Sequence, residues 1–327
     1  MFLAPMAEIS HSAFRRLVAD FGSCDWYFTE MLSAAAVTST SRYSTWYCDF
    51  GPFPEKTIVQ LAGNNPDIFG SAAVLLLKHP IAGIDINMGC SVFNINKRGW
   101  GIELMKDSDL AARIVEKVRS GIQGRTLSVK LRIGEKEDPR ALIDFCGKMV
   151  SAGADFITLN PRTSKTNRDR PGDWEYVRLL RNELSVPIVG NGEINDFPGF
   201  QSRAKKAGTG PVMIGRGAVR KPWLFHLLKL ESGNRQSPPP GEDLVPTGTT
   251  VDIRETIERY MQYLRKYQPA DFQVSRARRF FYYFCDNFKF GTHLKTAVQT
   301  MSDLREIQAA ALSYLDRNPA EAFIPMK

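Results

Sequence analysis

The 327-residue sequence has no CxxC pair, no long apolar run and no dinucleotide fingerprint, and each absence excludes a class of protein. Its five cysteines, Cys24, Cys48, Cys90, Cys146 and Cys285, are scattered and odd in number. That argues against a disulfide framework or a zinc site and fits a reducing cytoplasm. No metal is expected. No apolar stretch approaches the roughly 20 residues that a bilayer-spanning helix needs, so no membrane segment is expected. The first residues, MFLAPMAEISHSAFRR, lack a basic region followed by an apolar one and do not read as a signal peptide. No GxGxxG follows the first apolar run, which disfavours a doubly wound dinucleotide fold. The histidines, His11, His79, His226 and His293, lie away from the ends of the predicted strands, so no Cys–His catalytic pair is expected.

What is present is ordinary globular composition, 43% hydrophobic and 24% charged, so disorder is not the default. The net charge of +8 leans toward a polyanionic partner, nucleic acid first. Short apolar runs alternate with helical stretches through about residue 230. The runs cover 2–4, 26–31, 57–61, 83–87, 127–133, 156–160, 186–191 and 211–214. Helical patterns cover 12–21, 66–78, 107–119, 139–152, 173–183 and 196–207, and one more runs to about 230. Repeated strand–helix units imply a parallel sheet, and this number of them predicts an α/β fold of the (β/α)8 TIM-barrel type over 1–230. An open sheet is the alternative. In a barrel the active site gathers at the C-terminal ends of the strands. Amides, cations and glycines collect at those ends here, while the strand bodies are mostly apolar.

Residues 231–250, ESGNRQSPPPGEDLVPTGTT, read as a linker. From 251 to 327 the pattern is helical. Ile253, Ile257, Tyr260, Met261 and Leu264 share one helical face. Arg276, Arg278 and Arg279 precede an aromatic run from Phe280 to Phe284. A small helical bundle with a basic, aromatic surface is expected.

The stretch 81–105 ends an apolar run in Asn87-Met88-Gly89-Cys90, then a loop with Lys97, Arg98, Gly99 and Gly101. With no histidine nearby, a neutral Cys90 thiol suits general acid chemistry better than nucleophilic attack. Asn191-Gly192 and Gly215-Arg216 end adjacent strands, and glycine lets backbone N–H groups approach a phosphate. Lys130 points into a barrel mouth and needs a partner, either a flavin ring, a phosphate, or a carboxylate such as Glu193 or Asp85. Gln60 is either a donor and acceptor for a ring edge or a satisfied core amide.

Taken together, Ala4-Pro5-Met6, Gln60, Asn87-Met88-Gly89-Cys90, Val129-Lys130-Leu131-Arg132, Arg162-Thr163, Asn191-Gly192 and Ile214-Gly215-Arg216 resemble the tRNA-dihydrouridine synthases, a family of FMN enzymes. The resemblance implies that Pro5, Met6, Ala7, Gln60, Lys130 and Asn160 hold the flavin ring and ribityl chain. It places Asn191, Gly192, Glu193, Gly215 and Arg216 around the FMN phosphate. Cys90 would protonate C5 of a flipped-out uracil, and NADPH would supply the reducing equivalents. Asn87, Lys97, Arg98, Arg162, Arg276, Arg278 and Arg279, with Lys289 and Lys295, would contact tRNA, the partner, and the chain is expected to act as a monomer. The sequence departs from the family pattern at Ser91, where the family has Pro; at Asn160, where it has His; and at Glu193, where it has Asp. Ser91 is expected to loosen its loop, and Glu193 to reach the ribityl hydroxyls. The competing expectations are an FMN barrel acting on a small molecule and a non-catalytic RNA-binding relative.

Overall fold

The computed structural model describes residues 1–22, 24–39, 42–166, 170–233 and 250–326. Eight parallel strands close into a barrel: β1 (Phe2–Leu3), β2 (Trp26–Phe28), β3 (Thr57–Ala62), β4 (Gly83–Met88), β5 (Thr126–Gly134), β6 (Phe156–Thr163), β7 (Ile188–Asn191) and β8 (Val212–Ile214). Each pairs with the next, and β8 returns to β1 with Phe2 opposite Met213 and Leu3 opposite Ile214. Every predicted run became a strand. A further two-residue strand, Leu32–Ser33, adds to β3.

The helices around the barrel begin where the sequence supplies caps. Asn65 accepts the amides of Asp67 and Ile68 ahead of α2 (Pro66–Leu76), α1 being Ser12–Asp20. Asp107, Asp138 and Asp196 do the same for α3 (Ser108–Gly121), α4 (Pro139–Ser151) and α6 (Phe197–Ala207), with α5 at Glu175–Glu183. A proline in the first turn of α2, α4 and α6 loses no helical hydrogen bond there. After β8 come α7 (Arg216–Arg220) and α8 (Leu224–Glu231).

Period-two alternation sorts the lumen by height. Phe28, Ile58, Phe156, Val189 and Met213 form a separate apolar cluster at its base. Above them, on the same strands or their neighbours, stand Gln60, Asp85, Asn87, Ser128, Lys130, Asn160 and Asn191. Polar side chains thus run from the middle of β4 and β5 up to the C-terminal ends of the strands.

Of the predicted linker, residues 234–249 lie outside the described residues; Glu231 ends α8 and Thr250 opens a strand. The C-terminal region is not purely helical. The strand β9 (Thr250–Asp252) pairs antiparallel with β10 (Phe323–Pro325), bracketing α9 (Ile253–Tyr267), α10 (Ala270–Phe284), α11 (Gly291–Thr300) and α12 (Leu304–Arg317). The aromatic run is core rather than surface. Phe280, Phe281 and Phe284 are buried, and only Tyr282 is well exposed. Phe280 meets Phe14 of α1 at 6.3 Å between ring centroids, and Phe284 meets Trp223 at 6.4 Å. Barrel and tail thus share one continuous hydrophobic core.

Candidate active site

A ladder of hydrogen bonds rises through the lumen to Cys90. Asp85, fully buried on β4, accepts from Gln60 Nε2 and from Ser128 Oγ, each at 2.6 Å. Gln60 Oε1 accepts from Asn87 Nδ2 at 2.9 Å. Asn87 Oδ1 then accepts the backbone N–H groups of Gly89 at 3.3 Å and Cys90 at 3.0 Å. From the side, Arg132 Nε donates to the Gly89 carbonyl at 3.0 Å, and Ile102 N donates to the Cys90 carbonyl at 3.0 Å. Gly101 has φ +66°, and a Cβ there would lie 2.5 Å from the Cys90 carbonyl oxygen, so only glycine lets the loop close back on the turn. The half-buried thiol stands on a rigid platform. At Ser91, where a proline is absent, the turn is held by these hydrogen bonds.

The same ladder sets the electrostatics. Burial pushes the Asp85 carboxyl above the usual carboxylate range, against the opposing pull of Ser128, Gln60 and the Lys130 charge. Burial pulls the Lys130 ammonium down, and Asp85 pulls it back up. Lys130 has thus found one of its expected carboxylates at Coulombic range, but its ammonium is hydrogen-bonded to no described residue. It faces a cavity of about 560 Å³ that opens between the ends of β1 and β5–β8.

Pro5 and Met6 form one wall of that cavity, Lys130 and Asn160 its floor, and Asn191–Glu193 and Gly215–Arg216 the far side. The Asn160 amide has no described partner, and Thr158 Oγ1 beneath it is buried with none. Asn191 Nδ2 is spent on the Met213 carbonyl at 2.8 Å, which ties β7 to β8. Gly192 at φ +138° and Glu193 at φ +56° are consecutive positive-φ residues, a conformation uncommon for a residue other than glycine. A Cβ on Gly215 would come within 3.3 Å of Met6 Sδ, and one on Gly217 within 2.1 Å of the Ile194 carbonyl oxygen. The walls approach this closely because neither residue has a side chain.

Several predicted residues are placed otherwise than expected. Glu193 lines the cavity together with Arg162 and Arg203, and its carboxylate is engaged by protein groups. It pairs with Arg162 and with Arg203, the latter at 2.9 Å, and accepts the Gly172 amide at 2.7 Å. Arg162, expected at tRNA, is therefore buried in that pair. Gln60 is 1% exposed and spends a donor and an acceptor within the ladder, close to the satisfied-amide alternative. Asn87 is buried and holds the Cys90 turn instead of facing RNA. Ala7 is exposed on the rim. Arg276 is 4% exposed and pairs with Glu30, just after β2, at 2.9 Å, so it is no part of an open basic surface. Arg278 donates to the Met301 carbonyl. Arg279 is half-buried beside Tyr283. Lys97, Arg98 and Arg216 are exposed as expected.

The sequence reading missed Arg203 and Arg220, and it named Asp85 only as an alternative partner for Lys130, and Arg132 only within a motif, with no site role for either. Arg220, which lines the cavity and reaches Asp286 at 2.8 Å, sits one helical turn from Arg216, a spacing that could have revealed it. Arg132 was readable as the next inward residue beyond Lys130, two positions on. Nothing local signals Arg203, which reaches back from α6 to Glu193 in the turn after β7. The buried histidine, His11, caps α1 by accepting the Phe14 amide. Burial beside Arg276 and Arg15 holds it well below its usual range, so it is a neutral structural group. Among the described residues no group of three or more His, Cys, Asp or Glu is placed to hold a metal, and no helix is long and apolar enough to cross a membrane.

Comparison with known proteins agrees with this architecture. The family model described as dihydrouridine synthase matches residues 2–318. A Rickettsia prowazekii protein named probable tRNA-dihydrouridine synthase is 26% identical over 306 residues, 93% of this chain and 90% of its own. A Mus musculus protein named tRNA-dihydrouridine(20a/20b) synthase NAD(P)+-like is 32% identical over 224 residues, 68% of each chain. Among solved structures, TcOYE with pHBA superposes with a TM-score of 0.53 at 11% identity, covering 76% of this chain and 93% of that one. A morphinone reductase variant in complex with tetrahydroNAD gives 0.51 at 12%, covering 74% and 89%. These two structural likenesses show a shared barrel fold.

Proposed function

This chain is an oxidoreductase of the dihydrouridine synthase family, and from that premise we propose that it reduces a specific uridine of tRNA to 5,6-dihydrouridine, with FMN as its cofactor and NADPH as reductant. The observation that carries the reading is the cavity at the ends of β5–β8. Lys130 and Asn160 bring polar atoms to it without described protein partners, one and two strands away from the strand that ends at the Cys90 thiol. Unpartnered polar groups in a sheltered site are costly, and a ring bearing carbonyl and nitrogen acceptors would satisfy them. Gly192 and Gly215 leave the backbone open to a phosphate, with Arg216 beside it. Met6 and Pro5 supply an apolar wall for the ring face.

Pro5, Met6, Lys130, Asn160, Gly192, Gly215 and Arg216 would hold FMN there, and the bound flavin would supply the hydride chemistry, with NADPH as the source of reducing equivalents. The chain's own work is placement and proton transfer. Cys90 Sγ–H gives its proton to C5 of the uracil, and the thiolate left behind regains one from solvent. The ladder from Asp85 to Asn87 fixes where that proton is held. The Lys130 charge favours negative charge in the cavity. Lys97, Arg98 and Lys289, exposed around the mouth and on the tail, would hold the RNA backbone while the uridine leaves its stack. A monomer in the cytoplasm, where tRNA and NADPH meet, fits these parts.

The test is nucleoside mass spectrometry of unmodified tRNA incubated with the protein, FMN and NADPH, with free uridine in parallel. New dihydrouridine in tRNA alone is the expected result. Turnover of free uridine at a comparable rate would move the assignment to a small-molecule reductase. No product in either, from a yellow protein that NADPH reduces, would overturn the substrate and leave the flavin site standing.

A further inference from the structure

Three residues beyond Cys90 the chain presents its most exposed large apolar side chain among the described residues. Phe93 is 75% exposed, and its neighbour Val92 is 50% exposed. An exposed apolar side chain is common by itself, and this one gains meaning from the valine and the cations around it. Here it is displayed, and by a firmly held loop. Ile95 N and Asn96 N bond back to the Val92 carbonyl at 2.9 and 3.0 Å, and Asn64 Nδ2 holds the Arg98 carbonyl at 3.1 Å. Lys97 N donates to the Phe93 carbonyl at 2.9 Å, so Phe93 and Lys97 stand on the same side of this single turn. Lys97 and Arg98 are both exposed, and the Arg98 guanidinium lies 5.3 Å from the Trp100 ring. An aromatic ring flanked by cations is the surface that single-stranded nucleic acid uses, stacking a base on the ring and laying phosphates along the charges.

We propose that Phe93 is the stacking platform for the base next to the target uridine. The proposal rests on the tRNA reading above and deepens it. A uridine drawn toward Cys90 leaves its neighbour with one bare face. Phe93, fixed three residues from the thiol, stacks on that face and holds the strand open, while Lys97 and Arg98 neutralise the adjacent phosphates. Phe93 touches neither uracil nor cofactor, so it is a positioning residue whose effect is on forming the flipped state.

The experiment is single-turnover dihydrouridine formation in unmodified tRNA by the FMN-loaded wild type and by Phe93→Ala, Phe93→Leu and Phe93→Trp. Unchanged melting temperatures establish folding, which an exposed position should preserve. The expected result is a loss of roughly 10- to 100-fold in kcat/KM for Ala and for Leu, with Trp close to wild type. A tRNA with an abasic site beside the target uridine should slow the wild type by a similar factor and slow Phe93→Ala little further. Equal activity of Ala and wild type on tRNA overturns the platform and leaves the assigned reaction intact. Recovery by Leu as full as by Trp overturns base stacking in favour of a plain apolar contact. A wild type that makes no dihydrouridine in tRNA overturns both readings together.

Discussion

At the scale of single residues, Cys90 and Lys130 answer to different measurements. Cys90 is held by its backbone, through Asn87, Arg132 and Ile102, so truncating its side chain leaves the platform in place. Cys90→Ala is therefore expected to keep full flavin content, read by absorbance of the purified protein. Dihydrouridine formation should fall by about 10²–10⁴-fold, the usual worth of a positioned general acid. Unchanged turnover would remove the thiol from the reaction. Lys130 is coupled to Asp85. Its charge is one of the influences holding the buried carboxyl down, so Lys130→Met should raise the Asp85 pKa still further, followed by ¹³C NMR of the carboxyl carbon. The sign for stability follows. A carboxyl whose folded pKa exceeds its unfolded value near 4 keeps a proton that the unfolded chain has lost. Stability from this group is complete below that value and falls as pH rises toward the folded pKa. In Lys130→Met the falling interval should extend to higher pH, seen as a wider pH range of declining urea midpoints. The same variant should purify with less flavin, because the cavity loses its only described cation without a hydrogen-bond partner that lies on the floor.

At the scale of elements, the instructive case is α10. Ala277, Phe280, Phe281 and Phe284 are its buried face, and Arg276 is buried beside them. That face was present in the sequence as a helical period, yet five consecutive aromatics after three arginines read as a nucleic-acid surface. The deciding fact is the partner of Arg276. Glu30 lies 246 residues away, and no local pattern announces such a pair. The pair joins the loop after β2 to α10, and Glu30 also accepts the Glu8 amide at 2.7 Å, which steadies the loop after β1. Removing one member of a buried pair strands the other, so Arg276→Ala is expected to cost about 3–5 kcal/mol by urea denaturation. Replacing both residues, Arg276→Met with Glu30→Leu, should cost less than either single change. If Arg276→Ala left stability untouched and instead weakened tRNA binding, the earlier surface assignment would be right. The strands show the opposite situation. Their apolar runs and the Asn, Asp and Pro residues that cap the following helices are local signals, so all eight could be read directly. The cavity was legible for the same reason, since Pro5, Met6, Asn191 and Gly215 end or directly follow strands and Lys130 is a lone cation within an apolar one. The Glu193 pairs were not, because they depend on Arg162 at the end of β6 and Arg203 within α6, which no pattern around Glu193 announces.

At the scale of the whole molecule, the issue is whether barrel and tail are two stability units or one. The sequence suggests two, divided by a Pro- and Gly-rich stretch. The core suggests one. Phe14 and Trp223 of the barrel pack on Phe280 and Phe284 of the tail, Ser12 Oγ receives a bond from Gln268 Nε2 at 3.0 Å, and Tyr263 of α9 donates to Asp20 of α1 at 2.7 Å. Separating the parts would expose those rings, and burying a large apolar side chain is worth about 1.5–3 kcal/mol each. An interface built from so many of them outweighs the independence that a linker permits. The sequence supplies a convenient pair of probes. All five tryptophans, Trp26, Trp46, Trp100, Trp174 and Trp223, lie in the barrel half, whereas helical circular dichroism reports both halves. Urea unfolding followed by tryptophan fluorescence and by far-ultraviolet circular dichroism should therefore give coincident transitions with one midpoint. Two separated midpoints, with the circular dichroism change partly complete before fluorescence moves, would show a tail that detaches first. The shared core would then be a docking contact, and the orientation of bound RNA would rest on a hinge. Coincidence means that the exposed cations and Phe93 are presented to RNA by a single rigid body, with their distances to Cys90 set by folding and not by binding.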